Sequence, residues 1–558
     1  MKMKRFMALL LCIGITGVSL ASIGCSSMYE EDKAGDRLSL KVFNYNGGVG
    51  NSWLNATAER FMEANKDRQF GNGKVGVYVD ITNEKEIPLS NLSTRSESIF
   101  FLEGVEFNQY AAQGDFVNID DVVKTENPYE QGKKIEDKLS VGTKNALTGL
   151  DGHYYVIPHY QSYDGVTYNK TVFDNYNLYF AKYEKDYRSN DPNDKGYGFI
   201  DNSECDKSVG PNGIAGDYDD GLPSSVDELI RLCEYIKENR LIPFIWYNGF
   251  NKAYQQKLTN ALWASIEGYD GTMAQFIFDS NGTETSIVTG FDAAGNPITE
   301  KKVITEENAW EIYQQESRYH ALRFTQYLFS DMNNYHPSST GSLSNTDIQK
   351  EFMQDDVAML IEGTYWRNEA ADAKIFDRYS ALKNVETRYM PLPVQGTGSV
   401  TEGNGKEPNV IETHMSYAFI VKNTEDKYGA EVLQMAKEFL QFCCTAESLS
   451  EFTVKSSVTK DYDYTVGADY SKLTDYAKSV WDIKGNGKVV NPISDNPVFI
   501  KNIQTFTMRD TNIWKTTIAG GTRNPCDAFA ASNSKKYTAR DYFEGMKKDK
   551  SWWDALKR

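Results

Sequence analysis

Alternating and apolar runs, separated by helical patterns, characterise most of this chain. Residues 38–45 alternate between apolar and polar side chains and predict a strand. A helical pattern runs from Trp53 to about residue 64, and residues 75–81 predict a second strand. The chain therefore opens with the order strand, helix, strand, which is typical of α/β domains.

Later apolar runs have the length of buried strands and end in aromatic or polar residues. Residues 98–102, 241–249 and 357–361 are of this kind. Ligands of open α/β sheets bind at the carboxyl ends of the strands, so the residues after these runs are candidates for a binding site. Residues 279–300 carry turn signals between extended runs and predict an inserted β-hairpin.

One interrupted stretch predicts a passage between two compact bodies. Residues 151–173 contain an Asp-Gly turn, an aromatic strand that ends at Pro158, and a second extended piece from residue 166. Proline cannot donate a backbone hydrogen bond, so it interrupts a strand ladder. Further on, residues 184–221 are rich in Asp, Asn and Gly without a clear period, and they predict a long irregular insertion.

The amino terminus has the pattern of an export signal. Residues 1–24 begin with basic residues, continue with an apolar stretch and end in small residues before Cys25. This ending is similar to the bacterial lipobox, which implies lipidation at Cys25 and a polar tether over residues 25–36. An ordinary secretory peptide is the alternative. Two or more acyl chains hold a protein at a membrane, whereas one binds only marginally.

Composition limits the classes of partner. The 558 residues include 60 Lys and Arg against 78 Asp and Glu, a formal net charge of −18. Nucleic-acid binding needs a basic face, so we expect no nucleic-acid partner. Aromatic residues make up 13% of the chain, with 35 Tyr and 9 Trp. Flat rings stack on the apolar faces of pyranoses, so these rings fit a sugar-binding cleft as well as a Tyr-rich core.

No cofactor and no metal site is predicted. The glycine-rich segment at residues 46–50 matches neither a Walker loop nor the dinucleotide fingerprint, and its glycines more simply let a ligand approach the backbone. Acidic residues within 191–194 and 217–221 hint at calcium, but neither segment has the spacing of an EF-hand loop.

At least five blocks of sequence, in order, resemble one family. DGHYYVIP…GVTYNKTVFD over residues 151–174 is similar to the GKxYGVP…YNKDLF block of extracellular solute-binding proteins that serve ABC importers, in the maltodextrin-binding-like branch. EFMQDDVAMLIEGTYWRN over residues 351–368 resembles the F-x-x-G-x-A-A-M-x-x-x-G-x-W block of that family. Other matching blocks include residues 223–229 and 388–393.

The resemblance implies an α/β, two-lobe fold of the periplasmic-binding-protein type, in which hinge strands cross beside a cleft. On this basis residues 37–165 and 412–455 form lobe 1, and residues 166–411 and 456–558 form lobe 2. It also implies a monomeric binding protein rather than an enzyme, anchored by lipid on the extracytoplasmic face of the cell membrane. Such a protein closes around an oligosaccharide and delivers it to the permease subunits of an ABC transporter.

The strand ends and the resemblance together give the candidate ligand-binding residues. Acidic side chains can accept bonds from sugar hydroxyls, rings can stack on pyranoses, and an arginine can clamp hydroxyls. The candidates are Asn46, Trp53, Glu103, Glu106, Tyr163, Trp246, Tyr247, Tyr365, Trp366, Arg367 and Trp514. Trp514, like Trp263, fits the core of a lobe as well as the cleft.

Two other classes of protein stay open. A lipid-anchored surface glycan-binding protein that is not coupled to an ABC importer would be similarly large and aromatic, but the helical-repeat kind should show tandem helix pairs. A glycoside hydrolase would need two carboxyl groups roughly 5–9.5 Å apart across a sugar. No motif in the sequence points to such a pair.

Overall fold

The computed structural model describes residues 33–85, 89–182, 198–249, 253–354, 356–400, 405–412, 416–518 and 520–558. The predicted signal peptide, the predicted lipidation residue Cys25 and most of the predicted tether lie outside these ranges. So does the first part of the predicted insertion at 184–221. Within the ranges, no helix is both long and apolar enough to cross a membrane.

The strands form two large mixed sheets and two small antiparallel pairs in the described part of the chain. One small pair, β7 with β8, is the hairpin that the sequence predicts at residues 279–300. The strand bounds are β1 (Leu38–Tyr45), β2 (Val77–Glu84), β3 (Ile99–Glu103), β4 (Ile157–Pro158), β5 (Tyr163–Asn169), β6 (Ile242–Trp246), β7 (Glu284–Phe291), β8 (Pro297–Val303), β9 (Val357–Gly363), β10 (Thr387–Tyr389), β11 (Val410–Glu412), β12 (Ser416–Ile420), β13 (Val489–Val490), β14 (Thr516–Ile518) and β15 (Gly521–Arg523).

Helices connect most of these strands and make up much of the carboxyl-terminal third of the chain. Their bounds are α1 (Ser52–Ala64), α2 (Phe107–Gln113), α3 (Asp120–Lys124), α4 (Val141–Leu147), α5 (Lys170–Tyr176), α6 (Val226–Glu238), α7 (Ala253–Glu267), α8 (Tyr269–Ile277), α9 (Glu316–Ser330), α10 (Asn345–Gln354), α11 (Trp366–Asp372), α12 (Ile375–Arg378), α13 (Thr424–Tyr428), α14 (Ala430–Cys443), α15 (Ala446–Ser456), α16 (Asp475–Asn486), α17 (Pro497–Lys501), α18 (Ile503–Phe506), α19 (Pro525–Phe529), α20 (Ala539–Gly545) and α21 (Lys550–Lys557).

The first sheet has the strand order β2-β1-β3-β12-β4 and forms the first lobe. β1 runs parallel to both β2 and β3, in agreement with the predicted strand-helix-strand opening. β12 comes from much later in the chain and pairs antiparallel with β3 and β4. Phe43, Phe100 and Phe419 stack across β1, β3 and β12 within one hydrophobic core, which ties the late strand to the early ones.

The second sheet has the strand order β13-β11-β5-β9-β6, with β10 paired to β5, and forms the second lobe. β9 lies between antiparallel β5 and parallel β6, and all of its residues are buried. A strand that is covered on both faces is apolar almost throughout. The burial of both faces explains why residues 357–361 are all apolar. It also makes Glu362, a buried charged residue in the same strand, unusual.

The chain passes between the two sheets more than once. β4 ends at Pro158 in the first sheet and β5 begins at Tyr163 in the second, whereas β11 ends at Glu412 in the second and β12 begins at Ser416 in the first. A further passage follows α15, because Tyr462 packs in the core of the first lobe and later residues pack in the second. The fold is therefore two-lobed α/β, as the sequence predicts.

The first passage comes slightly earlier than residue 165, the boundary inferred from the sequence. β5 already pairs with β11 at Tyr163 and with β9 at Asp164. Asp164 and Gly165 interrupt the apolar pattern, so the start of the strand was not recognisable. Both residues are nevertheless buried. Asp164 pairs with Lys257 at 3.6 Å, and Gly165 has no side chain and so leaves room for the ring of Tyr389.

A buried arginine helps to hold the carboxyl-terminal part of the chain on the second lobe. Arg318 on α9 is 0% exposed, and its Cζ lies 4.1 Å and 4.9 Å from the ring centroids of Trp263 and Trp514. Its guanidinium donates to Ile312 O at 3.0 Å and to Gln275 Oε1 at 2.6 Å. Two ring faces and these acceptors offset the loss of water around the charge.

Replacing this arginine should destabilise the protein more than replacing a partly exposed arginine on the same helix. Arg318→Met removes the donor to Gln275 Oε1 and the charge that packs on two indole rings, so it should lower the free energy of unfolding by about 2–4 kcal/mol. Arg323→Met is the matched control, because Arg323 forms a partly exposed ion pair with Asp227 at 2.7 Å and should cost under about 1 kcal/mol. Denaturant unfolding measures both variants, and equal losses would contradict the role given to Arg318.

Candidate ligand-binding cleft

The glycine-rich loop after β1 meets helix α11 of the other lobe. Asn368 on α11 donates through Nδ2 to Gly48 O at 3.0 Å. A Cβ atom at Gly48 would lie 2.3 Å from Cγ of Tyr365, the residue before α11. Tyr365 is 6% exposed and packs with the core of the first lobe, although its backbone belongs to the second. The two lobes therefore close on each other at this tyrosine, and a glycine is required opposite it.

Acidic and aromatic residues from both lobes meet beside this contact, and we call them the cleft cluster. The first lobe contributes the ends of β1 and β3 and a residue just after β4. The second lobe contributes residues of α7, of β9 and around the start of α11. The cleft cluster is Tyr45, Glu103, Tyr160, Tyr254, Lys257, Glu362, Tyr365 and Glu369. Strand ends of both sheets thus face one shared site.

Hydrogen bonds fix the cleft cluster within each lobe. In the first lobe, the Tyr160 hydroxyl donates to the Glu103 carboxylate. In the second, Lys257 Nζ donates to the Tyr365 hydroxyl at 3.2 Å and lies 3.6 Å from Asp164 Oδ1. Each lobe therefore presents an ordered polar surface to the other.

The core of the second lobe supports this surface. Trp514 Nε1 donates to Asn260 Oδ1 at 2.7 Å, and Asn260 Nδ2 donates to Asp164 Oδ2 at 2.9 Å. Asp164 is in turn the partner of Lys257. Because the members of such a buried network hold one another in place, the indole of Trp514 orients the ion pair at the cleft without reaching it.

Two glutamates of the second lobe carry strongly perturbed pKa values. Glu362 is 1% exposed; its Oε1 accepts from the Gly363 N–H at 2.9 Å, and its Oε2 has no hydrogen-bond partner among the described residues. Burial raises the pKa of Glu362 to about 8, although Lys257 acts in the opposite direction. Burial also raises the pKa of Glu369 to about 7, and the charge of Glu103 adds to this rise. Carboxylates of the two lobes thus repel each other across the cleft.

Some of the candidate residues from the sequence lie at or beside the cleft cluster. Glu103 and Tyr365 belong to it. Asn46 is half-buried in the loop that meets Tyr365. Tyr247 is also half-buried, and its ring centroid is 5.4 Å from that of Tyr254. The structure brings these four candidates together around the lobe contact, and their contact with a ligand stays a prediction.

The candidate tryptophans pack in the cores of the lobes and do not belong to the cleft cluster, and their contact with a ligand stays a prediction. Each is at most 1% exposed: Trp53, Trp246, Trp366 and Trp514. Trp246 packs against Phe329 and Trp53 against Phe101, with ring centroids 5.1 Å apart in both pairs. A large ring at the end of a strand or helix continues the apolar pattern of that element, so the sequence does not distinguish a core ring from a cleft ring.

The remaining candidates have other partners within the lobes or at the hinge. The Tyr163 hydroxyl lies 2.7 Å from Thr459 Oγ1, where two passages between the lobes run side by side. Arg367 donates to Thr387 Oγ1 at 3.1 Å, so its guanidinium is engaged inside the second lobe. Glu106 is half-buried just before α2. Tyr163 therefore lies where the chain passes between the lobes, and the contact of Arg367 with a ligand stays a prediction.

Most of the cleft cluster was not identified from the sequence. One signal was available in the sequence, because Glu362 directly follows the apolar run of β9. Charged residues are almost never fully buried without a partner, so a glutamate at the end of a buried strand indicates a special role. Residues on α7 gave no such signal, because polar and apolar side chains alternate there without a clear face. The residues that sequence reasoning missed are Tyr45, Tyr160, Tyr254, Lys257, Glu362 and Glu369.

Three aspartates converge in the loop before α6, at the segment in which the sequence hints at calcium. One carboxylate oxygen from each of Asp217, Asp219 and Asp220 lies within 4.8 Å of the other two. Burial raises the pKa of Asp219 to about 9. The backbone N–H groups of Asn212 and Gly216 donate to Asp219 and Asp220 at 2.9 Å and 2.8 Å, so hydrogen bonds of the loop itself account for their orientation. The other acidic segment, 191–194, lies outside the described residues.

Two α/β lobes that close over a polar and aromatic site define a two-lobed ligand-binding protein. The chain belongs to the family of bacterial extracellular solute-binding proteins, whose sequence profile matches residues 82–448. A search of curated protein sequences gives no match.

Solved structures share the fold at low sequence identity. Apo RafE from Streptococcus pneumoniae is 12% identical with a TM-score of 0.51, over 94% of this chain and 99% of that chain. RafE in complex with raffinose is 12% identical with a TM-score of 0.50, over 93% and 100% of the two chains. A chitin oligosaccharide binding protein is 14% identical with a TM-score of 0.51, over 94% and 99%. At these identities the likeness shows the fold.

The buried Glu362 should make the protein less stable as the pH rises. Its pKa is raised from 4.5 to about 8, so the folded protein retains a proton that the unfolded chain has lost between these values. Stability should therefore fall from about pH 5 to pH 8.5, and Glu362→Gln should remove part of this fall and stabilise the protein at pH 8.5 by at least about 1 kcal/mol.

Unfolding in denaturant at pH 5.5, 7 and 8.5 measures this effect. Glu300→Gln on the exposed hairpin strand β8 is the control and should keep the pH dependence of the unaltered protein. If Glu362→Gln also kept that dependence, the burial of an ionisable Glu362 would be contradicted.

Proposed function

We propose that this protein is the substrate-binding component of an ABC importer, which captures an oligosaccharide between its lobes and delivers it to the permease subunits. The observation that carries the proposal is the cleft cluster, in which both lobes offer carboxylates and tyrosines around the contact between Tyr365 and Gly48. Carboxylate oxygens accept bonds from sugar hydroxyls, and tyrosine rings pack on the apolar faces of pyranoses.

The comparisons support a sugar as the ligand. The chain belongs to the extracellular solute-binding family. Two structures with the same fold are a raffinose complex and a chitin oligosaccharide binding protein. The number of tyrosines at the cleft also exceeds what the binding of a simple ion needs.

Closure follows from contacts that only the closed form can make. Glu103 and Tyr160 stand on the first lobe, whereas Glu362 and Lys257 stand on the second. A ligand shifts an equilibrium only by its difference in affinity for the two states. A saccharide that bonds both lobes at once therefore favours the closed form, which is the form that we propose docks on the permease.

The site of action completes this proposal. We infer that Cys25 is lipidated after removal of residues 1–24, so that the protein stays on the extracytoplasmic face of the cell membrane as a monomer. Anchoring keeps the receptor close to its permease, which raises the effective concentration of the closed form there. In this role the protein binds and releases its ligand and catalyses no reaction.

Calorimetric titration against a panel of oligosaccharides tests the proposal. At least one oligosaccharide should bind, and Tyr365→Ala should weaken that binding by about tenfold or more, because the variant loses a ring that both lobes use. Tyr379→Ala is the matched control, since Tyr379 is 39% exposed and lies in the second lobe outside the cleft cluster. It should leave the affinity unchanged.

The proposal fails if no oligosaccharide binds while peptides or metal ions do. A Tyr365→Ala variant that binds the saccharide as tightly as the control would contradict the placement of the site.

A further inference from the structure

Negative charge from both lobes is concentrated at the cleft. Glu103 comes from the first lobe and Glu362 and Glu369 from the second, with Asp164 directly beneath. Lys257 is the buried cation of the cleft cluster. In the described part of the chain, Lys85 also acts on Glu369, but its side chain is exposed to water. Of the residues that the structure describes, these four carboxylates thus face two ammonium groups, one of which is solvated.

The buried lysine is already committed to protein groups. Lys257 Nζ lies 3.6 Å from Asp164 Oδ1, donates to the Tyr365 hydroxyl at 3.2 Å, and lies 4.8 Å from the ring centroid of Tyr254. Arg367 comes two residues after Tyr365 in the sequence, but its guanidinium donates to Thr387 Oγ1. An acidic saccharide would therefore meet carboxylates at the cleft cluster, which contains no guanidinium among the residues that the structure describes.

Among the described residues, one acceptor of the cleft cluster has no hydrogen-bond donor. Glu362 Oε2 is buried and has no hydrogen-bond partner among the described residues. Once Glu362 has lost its proton, Oε2 can only accept, so the partner that stabilises this ionised form must be a donor. A buried charge that is left without a partner is costly, and a charged donor offsets that cost more than a neutral one.

Tyrosine rings surround these carboxylates. Tyr160, Tyr254 and Tyr365 are all buried, and Tyr45 is half-buried beside Glu103. The face of an aromatic ring attracts a cation, and a cage of rings is a known way to hold an ammonium group. Carboxylates and ring faces together are better suited to a cation than to a neutral hydroxyl alone.

We propose that the saccharide carries a free amino group, and that its ammonium donates to Glu362 Oε2 between Glu103 and Glu369. This inference rests on the proposed function, because it names the class of saccharide that the same site takes. The ammonium supplies the missing donor and offsets the repulsion between carboxylates that closure brings together. An amino sugar therefore favours the closed form more than its neutral counterpart does.

Titration calorimetry at pH 7 with matched oligosaccharides tests this inference. The probes are the tetramer of β-1,4-linked glucosamine, its fully N-acetylated counterpart, cellotetraose and tetragalacturonate. The glucosamine tetramer should bind at least about tenfold more tightly than the N-acetylated and neutral tetramers, as expected for one charge-assisted hydrogen bond. Tetragalacturonate should give no binding.

Variants locate the effect. Glu362→Gln keeps the shape and an acceptor but cannot ionise, so it should weaken binding of the glucosamine tetramer about tenfold more than it weakens binding of cellotetraose. Glu386→Gln is the control, because Glu386 pairs with Arg388 at 2.8 Å outside the cleft cluster. It should change neither affinity.

The outcomes separate this inference from the proposed function. Equal or tighter binding of a neutral or N-acetylated tetramer overturns the amino-sugar assignment and leaves a saccharide receptor in place. The same holds if the glucosamine tetramer gives no heat and a neutral tetramer does. Binding of spermidine with no response to any saccharide would overturn both.

Discussion

The packing of Tyr365 against Gly48 is the contact on which the closed arrangement of the lobes depends. The tyrosine belongs by its backbone to the second lobe, yet it is buried with the core of the first. Its ring occupies the space that any side chain at position 48 would need. The ring of Tyr365 and the missing side chain of Gly48 therefore determine how closely the two lobes approach each other. The residues around this contact form the candidate binding site.

The electrostatics of the site follow from this closeness. Glutamates of both lobes are brought together where water is reduced, which raises the pKa values of Glu362 and Glu369. Within a lobe, hydrogen bonds and one lysine stabilise part of that charge, and the ion pair of Lys257 with Asp164 is held from behind through Asn260. Across the lobes, the like charges of Glu103 and Glu369 oppose each other. In the proposed function, a ligand that donates to these carboxylates therefore favours the closed form.

The sequence predicted the architecture better than the site. The strand-helix-strand opening, the passage after Pro158 and the hairpin near residue 290 were recognisable, because apolar period and turn residues report local structure directly. Glu103 and Tyr365 were also among the candidates from the sequence, since Glu103 ends β3 and Tyr365 lies two residues after β9.

The tryptophans mark the limit of this approach. Trp246 and Trp366 stand at places where a ring would suit a ligand, and both instead complete the core of the second lobe. Lys257 was missed because its importance comes from Asp164, which is distant in sequence and meets it only through the fold. The packing between the lobes determines which side of a helix or strand faces the cleft. The local sequence pattern does not predict this packing.

Small-angle X-ray scattering tests closure at the Tyr365–Gly48 contact most directly. A saccharide that binds should reduce the radius of gyration of the unaltered protein, whereas Gly48→Val, which places side-chain atoms where the Tyr365 ring lies, should prevent this reduction. A protein whose radius of gyration stays the same when the saccharide binds, or a Gly48→Val variant that compacts as fully as the unaltered chain, would contradict the account.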